Sequence, residues 1–197
     1  MLDFFFAGEK GDPTAIMIAI KDCRSKALHA YLLDSEEANH KVVSKIAQWI
    51  DSLGYKRVII KSAREPAIVS VQDKVRAEAK TETVPENSPK GESQSNGQIE
   101  SGIRELMGMI RTLKDDIETK TKEPMENNSP MLAWIVEAAG TMISRYRVGK
   151  DCKTAYQRLK GKAPPNKVVA IGERVLCLPL KSAGKRNKLA PKFKFGV

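Results

Sequence analysis

Residues 35–61 read SEEANHKVVSKIAQWIDSLGYKRVIIK, a stretch in which the apolar period changes from helical to extended. Ser35 is the expected cap, Glu36 and Glu37 suit a first turn, and Val42, Val43, Ile46, Trp49, Ile50 and Leu53 recur at helical spacing. Gly54 ends the helix, and Lys56–Lys61 (KRVIIK) reads as a short buried strand. Upstream, Leu2–Phe6, residues 14–20 (TAIMIAI) and Ala27–Leu33 are further strands, the last two joined by a turn over Lys21–Ser25. A strand that returns through a helix lies parallel within its sheet, whereas a tight turn joins antiparallel strands. The sheet is therefore mixed.

Downstream, Glu65-Pro66 opens a helix to about Lys80, with proline tolerated in its first turn, and residues 81–84 suggest one more strand. Pro85–Gly97 (PENSPKGESQSNG) reads as a mobile loop. A long helix follows through Ile99, Ile103, Leu106, Ile110, Leu113 and Ile117. After a linker around Pro124–Pro130 comes an apolar helix, Met131–Tyr146. Thr154–Leu159 suits a last short helix, and Val168–Ile171 and Arg174–Leu178 two short strands. Trp49 and Trp134 fall on apolar helical faces and are expected in the core. The predicted class is α/β, a mixed sheet with helices on both faces.

The chain has 197 residues, is 41% hydrophobic and 29% charged, and has no apolar run near the length of a membrane helix. Asp3 stands where a secretory leader would carry a basic residue. The three cysteines, Cys23, Cys152 and Cys177, form no C-x-x-C pair, and two histidines are too few for a metal site. A reducing intracellular compartment is expected, with no membrane partner. Net charge is +10, yet the chain from Thr141 onward, with 15 Lys/Arg and 2 Asp/Glu, carries +13. The remainder is weakly acidic. Such asymmetry points to a polyanion partner at the C-terminal end, nucleic acid first (DNA, or RNA), with a solvated basic tail as the alternative reading of the same charge. No G-K-[ST] follows Gly91 or Gly97, which excludes a phosphate-binding loop of that kind.

Two acids stand out: Asp3, in the first strand among apolar neighbours, and Glu100, in the first turn of the long helix after the loop. The run Ser93-Gln94-Ser95-Asn96-Gly97-Gln98-Ile99-Glu100 resembles the loop and helix of retroviral-type integrase catalytic cores, as carried by long-terminal-repeat retrotransposon Pol polyproteins. In that family an S-x-x-N-G-like run leads to the third acid of a D-D-E motif. Asp3 then matches the first acid. The second belongs to an S-D-x-E-P-A context, and here the chain reads Ser62-Ala63-Arg64-Glu65-Pro66-Ala67. Ala63 stands in the aspartate's place, and the 36 residues between it and Glu100 agree with the family's spacing.

The resemblance implies a ribonuclease-H-like core over residues 1–148 and a linker with a small basic β-rich extension over 149–197. It implies Asp3 and Glu100 as catalytic and metal-binding residues for Mg²⁺ or Mn²⁺, with binding weakened by Ala63. Two-metal phosphoryl transfer needs hard oxygen ligands on both ions, and alanine offers none. Glu65 already has a counterpart in the family pattern and is not expected to substitute. The short first strand and the absence of the family's His/His/Cys/Cys module point to a truncated element. Nucleic-acid contacts are expected from Lys90, Asn96, Arg104 and Arg111 near the site, although the two arginines equally suit a solvated helix face. In the basic tail they are expected from Lys185, Arg186, Lys188, Lys192 and Lys194. A homo-oligomer, and nuclear localisation for a working integrase, are further implications. The alternative is a non-enzymatic nucleic-acid-binding or scaffold module on the same fold.

Overall fold

The computed structural model describes residues 1–8, 14–37, 39–88, 96–164 and 173, and the backbone of 175–177 and 194–196. Residues 1–164 form one compact unit and 165–197 a second. The first holds a five-stranded sheet in the order β3-β2-β1-β4-β5. β1 (Leu2–Ala7) pairs antiparallel with β2 (Ala15–Lys21), and β2 pairs antiparallel with β3 (Leu28–Leu33). β4 (Arg57–Ser62) and β5 (Glu82–Asn87) are parallel to each other from Arg57↔Glu82 to Ser62↔Asn87. β1 and β4 are parallel and meet at a single register position, Leu2↔Ser62. The mixed sheet is as expected.

Strand alternation sorts the sheet's side chains into two layers. Leu2, Phe4, Ile18, Ile20, Tyr31, Leu33 and Ile60 face α1 (His40–Ser52) and α2 (Pro66–Glu78), which contribute Val43, Ile46, Ile50, Ile68, Val71 and Val75 to the same core. Gln72 of α2, buried in that core, donates from Nε2 to the Ile60 carbonyl at 2.5 Å. The opposite face carries α3 (Gly97–Thr121) and α4 (Pro130–Tyr146), which bury Ile99, Leu106 and Ile110, and Leu132, Ile135, Ala139 and Ile143. A short α5 (Ala155–Lys160) follows, with a reciprocal capping box between Thr154 and Gln157. In the second unit β6 (Val175–Cys177) pairs antiparallel with β7 (Lys194–Gly196). β6 lies within the strand expected over Arg174–Leu178; β7 was not expected, and Val168–Ile171 lies outside the described residues.

Three expectations are corrected. α1 begins at His40 rather than near Ser35, because Asn39 caps it, its Oδ1 accepting from the Val42 N–H at 3.1 Å. The Ser35 hydroxyl instead donates to the Glu37 carbonyl at 3.2 Å, closing a local turn outside the helix. β5 continues through Pro85 to Asn87, residues expected in the loop; as an edge strand it tolerates a proline. Trp134 is 63% exposed rather than in the core, because α4 turns Ile135, Val136 and Ala139 inward and leaves Trp134 outside their stripe. Trp49 is half-buried against the α1/α2 core, as expected. Among the described residues no helix is long and apolar enough to cross a membrane.

Candidate functional site

The register Leu2↔Ser62 sets the start of β1 against the end of β4, so Asp3 and Ala63 are the next residues along the two adjoining strands. Asp3 is half-buried, and its Oδ1 accepts the Phe4 N–H at 3.0 Å. Burial pushes its carboxyl above the usual range; the Phe4 N–H works against this, and the charges of Glu65 and Glu100 add to it. Glu65 is the residue before α2, and Glu100 lies exposed in the first turn of α3. The fold thus brings Glu65 and Glu100 within electrostatic reach of Asp3, near the strand end where Ala63 sits.

Electrostatic reach is not coordination. Among the described residues no three His, Cys, Asp or Glu side chains are placed to hold a metal ion. Asp3, Glu65 and Glu100 are all described, so this donor set does not fit the two-metal arrangement that in-line phosphoryl transfer requires. The methyl of Ala63 supplies no oxygen to complete it.

Around Ala63 a set of polar groups, all neutral but Arg64, fixes the backbone. The Ser62 hydroxyl donates to the Ala63 carbonyl at 3.1 Å and lies 3.4 Å from Asn87 Oδ1, and the Ser88 N–H donates to the Ser62 carbonyl at 3.0 Å. Arg64 Nε donates to the Ser88 carbonyl at 2.9 Å. The Ser88 hydroxyl donates to Asn96 Oδ1 at 2.7 Å. Asn96, expected to contact nucleic acid, therefore spends its side-chain oxygen on Ser88 and does not cap α3. Asn87 and Ser88 lie in the stretch expected as a loop, and Ser62 stands out in the sequence only as a member of the S-A-R-E-P-A run. Only the parallel β4/β5 register brings them together, and no spacing along the chain records it.

Arg104 and Arg111 are exposed on α3 and make no ion pair among the described residues. Lys90, Lys185, Arg186, Lys188 and Lys192 lie outside the described residues, and of Lys194 only the backbone, in β7, is described. A basic cleft of about 560 Å³ that the sequence did not announce lies between the β2–β3 turn, the start of α3 and the end of α4. Lys21, Lys26, Arg147, Lys150 and Arg158 line it. Part of its charge is internally matched, Arg147 by Glu105 and Arg158 by Asp151, while Arg158 Nη1 also donates to the Ser25 carbonyl at 2.8 Å.

No family model and no curated protein matches this sequence. Solved structures do. The chain is similar to the catalytic core domain of BIV integrase, with a TM-score of 0.54 and 15% identity over 80% of this chain and 91% of that one. It is similar to the HTLV-2 integrase catalytic core domain in complex with magnesium, in a trimeric form, with a TM-score of 0.53 and 17% identity over 80% and 93%. It is also similar to a chain of the simian T-cell lymphotropic virus intasome in complex with PP2A regulatory subunit B56 gamma. There the TM-score is 0.57 and the identity 17%, over 98% of this chain and 65% of that one. The fold is that of a retroviral integrase catalytic core, ribonuclease-H-like. At these identities the likeness is one of fold.

Proposed function

We propose that this protein is an integrase-core-like nucleic-acid-binding protein, derived from the Pol polyprotein of a long-terminal-repeat retrotransposon and catalytically silent because Ala63 replaces the second metal-binding aspartate. The observation that carries this reading is the pairing Leu2↔Ser62, which puts Asp3 and Ala63 on adjoining strand ends with Glu100 close enough to act on the Asp3 charge. Asp3 and Glu100 are the retained catalytic and metal positions. Two carboxylates without a third hold Mg²⁺ or Mn²⁺ weakly and leave one reacting oxygen unsupported.

The partner is DNA, with RNA as the second polyanion of the same chemistry. Arg104 and Arg111 on α3, Lys90 and Asn96 before it, and the tail cations Lys185, Arg186, Lys188, Lys192 and Lys194 are the proposed contacts. Neighbours on this fold include dimeric and trimeric magnesium-bound cores and an intasome, which supports a metal-linked, self-associating ancestry. A homo-oligomer, and a nuclear location if integration is retained, belong to the same proposal. The second reading, a scaffold that binds nucleic acid without chemistry, is favoured by the neutral hydrogen-bonded groups around Ala63.

The test is strand transfer and nicking on DNA with Mg²⁺ or Mn²⁺, comparing the natural chain with Ala63→Asp. Activity in the variant alone supports a core disarmed by one substitution. Activity in the natural chain overturns the silent reading. A folded but inactive variant that still binds DNA favours the scaffold.

A further inference from the structure

The basic cleft between the β2–β3 turn, the start of α3 and the end of α4 is built around two glycines that admit cations. A Cβ at Gly102 of α3 would meet Leu28 Cδ1 at 3.0 Å and Lys21 Cδ at 3.2 Å, so its absence gives the Lys21 stem a passage. Lys21 is 8% exposed, and its ammonium donates to the Gln98 carbonyl at 2.8 Å. A Cβ at Gly149 would overlap the Arg158 guanidinium. Arg158 donates there to the Ser25 carbonyl at 2.8 Å, to the Lys153 carbonyl at 2.9 Å and from Nε to Asp151 Oδ2 at 2.9 Å. It thereby pins the loop 149–153, which carries Lys150, to the β2–β3 turn, which carries Lys26.

Positive charge accumulates here beyond what the protein itself matches. Lys21, Arg24, Lys26, Arg147, Lys150 and Arg158 line the cleft against two carboxylates, Glu105 and Asp151, which Arg147 and Arg158 already engage. Lys26 and Arg147 stand close enough to Lys21 for their charges to oppose its own. Among the described residues Lys26 and Lys150 make no ion pair. The Lys26 ammonium reaches Gln98 Oε1 at 3.3 Å, beside the first turn of α3, whose positive end Asn96 does not cap. Like charges gathered in a concave site cost stability and focus a field that draws anions in.

We propose that this cleft binds a compact polyphosphate, the phosphate chain of a nucleotide or a free polyphosphate. A carboxylate brings one charge, whereas a terminal phosphoryl group brings about two and three acceptor oxygens for the surrounding donors. The volume, about 560 Å³, falls within the range of small-molecule sites. The cations converge on a hollow from three elements instead of following a groove along one face, which suits a compact anion rather than a nucleic-acid backbone. None of Asp3, Ala63 and Glu100 lines the cleft, so the inference stands apart from any chemistry at those positions.

The probe is inorganic tripolyphosphate, titrated into the full chain by calorimetry at about 0.15 M salt, with amide hydrogen exchange over residues 97–101 and 149–153. One saturable site is expected, with exchange slowed at least threefold in both segments. Lys26 and Lys150 are exposed, so Lys26→Gln with Lys150→Gln should leave the melting temperature of the free chain unchanged or higher while weakening binding at least tenfold. Arg111→Gln, outside the cleft, should leave binding within twofold. Adenosine triphosphate binding at least as tightly as tripolyphosphate supports a nucleotide as the source, and weaker binding by it supports free polyphosphate. Absence of saturable binding, unchanged exchange in both segments, or equal affinity in the double variant each overturns the proposal. So does citrate binding as tightly as tripolyphosphate, which would leave charge without phosphate recognition. A DNA duplex that displaces tripolyphosphate and loses as much affinity in the double variant also overturns it, by assigning the cleft to nucleic-acid backbone.

Discussion

The two sides of the central β2–β1 pair end differently. On one side β3 is an edge strand whose backbone is sealed by α4. Gly140 lets the helix come so near that a Cβ there would lie 2.8 Å from His29 Cα, and the Ser144 hydroxyl both accepts the Leu28 N–H at 2.8 Å and donates to the Leu28 carbonyl at 2.7 Å. On the other side β1 and β4 meet at one register position, Leu2↔Ser62, while β4 pairs with β5 along all six of its residues. Unpaired strand backbone is a standing invitation to another chain. The contrast shows how the fold closes its outer edge with one glycine and one serine a helical turn apart, while the β1–β4 seam rests on a single pair of strand residues.

The largest effect is expected at the sealed edge. Gly140→Ala must push α4 away from β3 backbone, since the atoms it meets (His29 Cα, Leu28 O and Ala30 N) cannot rotate aside. Overpacking of this kind costs about 2–3 kcal/mol, read as a lower urea midpoint with little change in slope. Ser144→Ala comes next. It leaves the Leu28 N–H and carbonyl facing the helix without their partner, a loss of about 1–2 kcal/mol. Faster exchange at the Leu28 amide in Ser144→Ala would tie the loss to the edge; an unchanged amide would show that α4 seals it by packing alone.

That seal is invisible in sequence, and the reason is general. Alternation in residues 14–20 and 27–33, and the apolar period from Val42 to Leu53, reflect local geometry, so strands and helices were legible there. Asn39 and Ser35 both have capping side chains, and only the hydrogen bonds each makes decide where α1 starts. Pro85 argues against a strand until its edge position is known, and Trp134 looks like core until the rest of α4 chooses its buried stripe. At the candidate site, Asp3, Ala63 and Glu100 came from a motif, and the fold brings these positions to one end of the sheet. The Ser62–Asn87–Ser88–Asn96 set arises from parallel register between distant segments. Composition and spacing do not encode that.

A smaller effect sharpens the comparison at the turn that follows β2. Burial alone would raise the Asp22 carboxyl, but hydrogen bonds from Ser25, Tyr55 and the Arg24 N–H more than reverse this and hold it below the ordinary value of 3.8. Its stabilisation is present above that value and lost as the pH falls through it. The Tyr55 hydroxyl is pushed up to about 12, by burial first and then by its bond to Asp22. Its contribution is complete below the ordinary tyrosine value of 10.0 and lost as the pH rises from there towards 12. Tyr55→Phe should cost about 1 kcal/mol at neutral pH and reduce the loss of stability in the alkaline window. An alkaline profile identical to that of the natural chain would show that the bond to Asp22 does not brace the turn.

The smallest effect is the most telling for β4. Ile59 sits in the middle of β4 yet is 58% exposed, on the face away from the α1/α2 core and flanked by the exposed ion pair Arg57–Glu82 and by Lys61–Glu86. A central-strand isoleucine normally stabilises by burial, and truncating it to valine costs about 0.5–1.5 kcal/mol. Here Ile59→Thr keeps the β-branched shape and removes only exposed carbon, so unfolding free energy should change by about 0.5 kcal/mol or less. A loss of about 1 kcal/mol or more in urea denaturation would mean that Ile59 is covered in solution. That face of β4 would then be covered, by a second copy or by the chain itself, and the difference between the two sides of the sheet would lie in what covers them rather than in whether they are covered.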